Sequence, residues 1–194
     1  MMNNSYITDQ LTFIDGYLSE LSIEESSIYR MTSDYRIINA ISSNLTINDC
    51  MFTDIDSNQI GQIVGISFET SAQLNNITVS NSTVKFLRSL SSSVQIINIR
   101  ATSITLIDHL IGFIDCIDVI IHDIYIDNIQ TENDYLILVS NTKADSILNV
   151  TIQNINTKAL YITRSTVNLI SDFNIYNTSQ GIHIKSSNIS MMQN

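Results

Sequence analysis

Proline and tryptophan are missing from this chain of 194 residues, and glycine occurs only five times. Without proline every residue keeps its backbone N–H as a donor, which suits long hydrogen-bonded ladders and removes the usual breakers. No Gly-rich phosphate loop is present, nor a nucleophile elbow or a Cys–His pair. Basic residues are scarce: nine Lys and Arg stand against nineteen Asp and Glu, for a net charge of −10. Such a surface repels phosphate backbones and lacks the basic patch that nucleic-acid binding requires. An acidic surface can attract divalent cations, but a solvated surface is the simpler reading of the composition. No run approaches the ~20 apolar residues of a membrane span; the richest, from Leu110 to Ile121, is broken by Asp115 and Asp118.

The two cysteines, Cys50 and Cys116, fall in different repeats, too far apart for a disulfide, and do not decide the redox compartment. The start, Met1-Met2-Asn3-Asn4-Ser5, has neither a basic n-region nor an apolar h-region, so no signal peptide is visible in this segment. The last residues open another strand pattern, which reads as part of a longer chain or filament.

What is present in excess is Ile, Asn, Ser and Thr, together 100 of the 194 residues. Ile and Thr are stiff at the β-carbon and favour strands, whereas Asn and Ser favour turns. Their arrangement carries the argument. Ile77-x-Val79-x-Asn81, Ile124-x-Ile126-x-Asn128, Val150-x-Ile152-x-Asn154 and Phe173-x-Ile175-x-Asn177 share one pattern, and Ile97-x-Ile99-x-Ala101 fits the frame with the polar position lost. By subtraction, the steps from 81 to 101, 128, 154 and 177 are 20, 27, 26 and 23 residues. A second set of apolar runs, at 63–66, 85–87, 110–114, 136–139, 160–162 and 182–184, keeps the same spacing. Two ladders with one period of about 20–27 residues and apolar alternation of period two predict a β-solenoid of about seven coils. Residues 45–194 hold the regular repeats. Residues 1–44 read as an irregular first coil or N-terminal cap, since Gly16-x-Leu18-x-Glu20 fits poorly. Upstream of Asn81, both Cys50-x-Phe52-x-Asp54 and Leu45-x-Ile47-x-Asp49 fit the frame.

The stretches 74–82 (Leu-Asn-Asn-Ile-Thr-Val-Ser-Asn-Ser) and 147–155 (Ile-Leu-Asn-Val-Thr-Ile-Gln-Asn-Ile) resemble the right-handed parallel β-helix of the pectin-lyase-like group. They are similar in style to Asn- and Ile-rich repeats in surface proteins of ciliates and other protists. The resemblance implies an all-β fold in which inward Asn side chains stack from coil to coil. Asn81, Asn128, Asn154 and Asn177 are the expected ladder, interrupted at Ala101. Asn suits such a bend because it tolerates the left-handed conformation and its amide both donates and accepts.

Seven Asn-x-Ser/Thr sequons occur, at Asn3, Asn44, Asn76, Asn81, Asn149, Asn177 and Asn188. Asn44, Asn76 and Asn149 are the expected outward acceptors of N-linked glycans, whereas Asn81 and Asn177 are expected to be inaccessible on the ladder. The resemblance also raises polysaccharide cleavage, which needs clustered carboxylates with basic partners. The densest region holds Asp108-His109, Asp115, Asp118, His122-Asp123 and Asp127, and His183-Ile184-Lys185 adds a basic pair. Arg88, Arg100 and Lys143 do not repeat beside them, and the family's Gly-His-Gly and Arg-Ile-Lys motifs are missing. His109, His122 and His183 lack zinc spacing. Thr46, Thr78 and Thr151 hint at an ice-binding stripe, but the equivalent positions 98, 125 and 174 are Asn, Tyr and Asn.

The sequence therefore predicts a structural or adhesive extracellular solenoid with no catalytic, cofactor or metal residues. It is expected to join head to tail through unpaired strand edges. The alternative is a carbohydrate-active enzyme or glycan-binding module, marked by a groove lined by Tyr with Asp, Lys or Arg. Tyr125, Tyr135, Tyr161 and Tyr176 are the residues that would line it.

Overall fold

The computed structural model describes residues 6–7, 14–32, 36–57, 61–106, 108–131 and 135–193. Among them every regular element is a strand, every strand pairing is parallel, and the strands stack as about seven turns of a solenoid. Each full turn has three walls, illustrated by residues 71–75 (wall 1), 77–82 (wall 2) and Lys85–Leu90 (wall 3). Later turns barely interrupt the ladder at all. Lys143–Thr163 and Thr166–Lys185 are each assigned as one strand running through all three walls.

The register of wall 2 places Ile28, Phe52, Val79, Ala101, Ile126, Ile152 and Ile175 over one another. By subtraction, these steps are 24, 27, 22, 25, 26 and 23 residues. This corrects the frame at the fourth repeat. Ala101 is a buried inward residue equivalent to Val79, and Ser103 stands where the polar position was expected. The error arose because the apolar-x-apolar-x-polar pattern occurs twice per coil, once on each of two adjacent walls. Leu45-x-Ile47-x-Asp49 is wall 1 and Cys50-x-Phe52-x-Asp54 is wall 2 of the same coil. Upstream of residue 45 the strand Glu20–Glu24 pairs residue for residue with 44–48, and Ile14–Tyr17 pairs with 38–41. Residues 14–32 and 36–41 are thus stacked in the same register as the coils that follow.

Inward side chains form columns of like residues. Ile38, Val64, Leu87, Ile111, Ile137 and Leu160 stack along wall 3, each fully buried. Burying each such side chain contributes roughly 1.5–3 kcal/mol, so this column is one of several that hold the solenoid together. Both cysteines are buried and unpaired.

The corners carry left-handed backbone at residues other than glycine. Between walls 1 and 2 these are Glu25, Asp49, Asn76, Asn98, Asp123, Asn149 and Asp172. Asn and Asp pay least for this conformation, which explains their recurrence there. Just after the corner between walls 3 and 1 runs a buried polar column that the repeat reading missed: Ser43, Thr70, Ser92, Cys116, Thr142 and Ser165. Each side chain donates to the carbonyl two or three residues before it, as Thr142 Oγ1 does to Ser140 (2.9 Å) and Ser165 Oγ to Thr163 (2.7 Å). Several also accept a backbone N–H from the coil before: Ser43 N–H donates to Thr70 Oγ1, Cys116 N–H to Thr142 Oγ1 and Thr142 N–H to Ser165 Oγ. The carbonyls also accept backbone N–H groups from the coil before, so what the column adds is an acceptor for the buried N–H groups of Ser43, Cys116 and Thr142.

Candidate functional site

The outer face of wall 3 collects side chains that no packing requirement explains. One outward row places Asn39, Gly65, Arg88, Gly112, Leu138, Tyr161 and His183 in consecutive coils. A parallel row runs Arg36, Gln62, Lys85 and, two coils on, Tyr135 and Lys158. Glycine matters at two of these positions. Arg36 lies across Gly65 and His109 across Gly112, each occupying the place a β-carbon would take.

The Arg36 guanidinium donates to Asn39 Oδ1 at 2.7 Å, and Asn39 in turn donates to Asp15 Oδ1 at 2.8 Å. Burial lowers the Arg36 pKa, and the neighbouring Arg88 charge lowers it further. Two cations therefore sit close together on one face. Arg88 Nε is buried with no hydrogen-bond partner among the described residues, as is His109 Nε2. Lys85 Nζ binds Asp108 Oδ2 at 2.8 Å, and Asp108 Oδ1 lies 2.9 Å from His109 Nδ1. Burial alone would raise the Asp108 carboxyl, but the hydrogen bond from Lys85 and the adjacent His109 hold it at about 2. Burial pushes His109 below its ordinary value, against the pull of Asp108.

From His109 an aromatic run continues over the next coils. The ring centroids of His109 and Tyr135 are 6.3 Å apart, those of Tyr135 and Tyr161 5.2 Å, and those of Tyr161 and His183 5.1 Å. This strip of cations followed by rings is what the face can offer chemically: charge for an acidic group and flat surfaces for stacking.

The other titratable residues singled out from the sequence are dispersed. Asp115 and Asp123 sit on two different corners, and Asp118 opens wall 1 in an exposed 3.7 Å pair with Lys143. His122 on wall 1 meets Ser146 Oγ at 2.8 Å. Asp127 on wall 2 accepts from Asn154 and Tyr125, while Arg100 stacks over the Tyr125 ring at 4.6 Å. Tyr176 is exposed on wall 2, away from Tyr135 and Tyr161. Of those singled out, Asp108, His109, Arg88, Tyr135, Tyr161, His183 and Lys185 share the wall 3 face. The structure places no group of three His, Cys, Asp or Glu where they could hold one metal ion among the described residues. Among the described residues no helix is long and apolar enough to cross a membrane.

Asn81, Asn128, Asn154 and Asn177 are aligned in register with Asp54 and Ser103, all with left-handed backbone. Their side chains point outward and are exposed, contrary to the inward orientation expected, and Asn81 and Asn177 are accordingly accessible. Asn177 Nδ2 donates to Asn154 Oδ1 at 2.9 Å, whereas Asn154 donates to Asp127 at 2.8 Å and Asn128 to Ser103 at 3.3 Å. The ladder is thus mixed in composition. Asn76 and Asn149 belong to a similar column on the neighbouring corner, where Asn76 Nδ2 donates to Asp49, Asn98 to Asn76 and Asn149 to Asp123. Asn44 is exposed at the start of wall 1, and Asn3 lies outside the described residues.

Comparison with protein-family models, curated proteins and solved structures gave no match.

Proposed function

We propose that this chain is a non-catalytic structural or adhesive β-solenoid of the extracellular surface, working through wall 3, whose cationic and aromatic strip recognises an acidic partner. The observation that carries this reading is the gathering of Arg36, Lys85 and Arg88 beside the Tyr135–Tyr161 pair in a chain of net charge −10. Among the described residues the carboxylates of the strip are both engaged, Asp108 by Lys85 and His109 and Asp15 by Asn39, which supports binding rather than acid–base cleavage. Kinship with right-handed, pectin-lyase-like β-helices and with protist surface proteins belongs to the same proposal, supported by the repeat alone. Oligogalacturonate serves as a probe of the face. Binding measured by calorimetry should weaken at least tenfold in the double variant Lys158→Glu/Lys185→Glu and fall with salt. Uncleaved probe that binds wild type and variant alike would remove wall 3 as the working surface, and released unsaturated or reducing ends would favour the enzyme reading.

End-to-end association is part of the proposal. Unpaired strand edges at the ends of a solenoid would be covered by strands of a second copy. Sedimentation that shows no dependence on concentration would count against this. For N-glycans, Asn44 is the preferred acceptor, because modifying Asn76 or Asn149 disturbs their side-chain bonds.

A further inference from the structure

We infer that the acidic partner of wall 3 is wall 1 of a second copy, so that solenoids pack sideways into arrays. This rests on wall 3 being the adhesive face.

The charges are sorted by wall. Along the corner between walls 3 and 1, and the edge of wall 1 next to it, lie Glu20, Glu69, Asp115, Asp118 and Asp145. The opposite edge of wall 1 and its corner with wall 2 carry Glu24, Glu25, Asp49, Asp123 and Asp172. Ten of the nineteen acidic residues therefore frame one wall, against only Lys143 and Arg164, a formal balance of −10 + 2 = −8. Among the described residues, wall 3 presents Arg36, Lys85, Arg88, Lys158 and Lys185 against Asp15 and Asp108, a formal balance of +5 − 2 = +3. Like walls repel and unlike walls attract.

The surfaces between the charges match as well. In the early coils the outward positions of wall 1 are polar: Thr46, Asn48, Gln73 and Asn75. From the fourth full coil onward, apolar Ile97, Ile120, Leu148 and Leu169 enter these rows, and Ile117 nearby is 58% exposed. Apolar outward residues on a sheet in a strongly acidic chain mark a contact surface. The tyrosines of wall 3 are apolar over their rings and suit it. Each wall spans roughly seven strands at ~4.8 Å and about six residues at ~3.3 Å, on the order of 650 Å². That is somewhat below the ~800 Å² per partner of a standard interface, so the association should be weak and sensitive to salt. Because the two contacting surfaces differ, the contact does not close on itself as a two-fold dimer does and instead propagates.

The test is sedimentation velocity on the whole chain at low salt, with two double variants on outward positions that are exposed or half-buried. Lys158→Glu/Lys185→Glu impairs wall 3, and Asp145→Lys/Leu148→Lys impairs wall 1; circular dichroism verifies that both keep the β-fold. The wild type should form species larger than dimers that dissociate at high salt. Each variant alone should associate at least tenfold more weakly, and their equimolar mixture should associate again, since each keeps one intact wall and the exchanged charges complement one another. A mixture that does not associate, or a wild type that stays monomeric, overturns the inference. A monomeric wild type that still binds oligogalacturonate through Lys158 and Lys185 overturns it alone, and one that binds neither partner overturns the wall 3 reading too.

Discussion

The imidazole of His109 lies flat across Gly112, in the space where a β-carbon on that glycine would stand. The glycine is needed for this close approach and not for its backbone freedom, since it has no positive φ. Gly112→Ala should therefore displace a ring that is already hemmed in by Tyr135 and Asp108, at about 1–3 kcal/mol of overpacking. Gly181→Ala is the control. Its nearest neighbour, Ile175 Cδ1, is 3.4 Å from the added carbon, and the change should stay within ~0.5 kcal/mol. Urea unfolding of the two variants gives the comparison, and equal midpoints would mean that the ring yields freely.

Acid should destabilise the solenoid in two stages. His109 has its folded pKa lowered by burial, so below about 6.5 the unfolded chain takes up a proton that the folded state refuses. Stability is then complete above that pH and falls as pH drops below it. Asp108, held at about 2 when folded, contributes stability above about 3.9 that is lost as pH falls from there towards 2. Thermal melts of wild type and His109→Phe should diverge in slope between pH 7 and 5 and share the loss below pH 4. Parallel curves from pH 7 to 5 would show that His109 does not bear the first stage.

The buried hydroxyl column gives a sharper test than any surface ladder. Thr142 Oγ1 accepts the Cys116 N–H at 3.2 Å and donates to the Ser140 carbonyl at 2.9 Å. Thr142→Val keeps the shape and takes away the acceptor of the buried Cys116 N–H, at a cost of about 1–3 kcal/mol, whereas the Ser140 carbonyl keeps the Asp115 N–H. Thr142→Ser retains both bonds and should cost less than ~1 kcal/mol. Guanidinium unfolding distinguishes the two. A valine variant as stable as the serine variant would assign the column a packing role only.

How much of this was legible beforehand varied with the kind of signal. Period-two alternation is imposed by burial inside each coil, so the walls at 77–82, 124–129 and 150–155 could be read directly from apolar spacing. The same strength caused the misplacement at Ala101. Walls 1 and 2 obey one pattern five residues apart, and with Asn98 ending the first wall, the frame slid between them. The direction of the Asn side chains was not legible, because stacking suits an inward or an outward column and only the backbone path decides. The hydroxyl column was present in the sequence as Ser or Thr at 43, 70, 92, 142 and 165, with Cys116 in step. It was hidden by the abundance of Ser and Thr elsewhere. The wall 3 strip had no local signature at all, since Arg36, Arg88, His109 and Tyr161 meet only through stacking across coils.

Asn154 separates backbone tolerance from side-chain bonding in the outer ladder. Its φ of 53° is one that alanine adopts at a cost of roughly 1–2 kcal/mol and glycine adopts freely. Its amide also donates to Asp127 and accepts from Asn177. Asn154→Ala loses both contributions, whereas Asn154→Gly loses only the bonds. Since those bonds are exposed, the glycine variant should fall within ~1 kcal/mol of wild type and the alanine variant clearly below it. A second readout isolates the bond itself. The hydrogen bond from Asn154 is the main cause holding the Asp127 carboxyl below the ordinary carboxylate range, so either substitution should raise it. Carbon-detected NMR titration of Asp127 measures this without unfolding the protein. An Asp127 that titrates identically in all three proteins would show that the amide does not bind it in solution, leaving left-handed tolerance as the reason for asparagine at this bend.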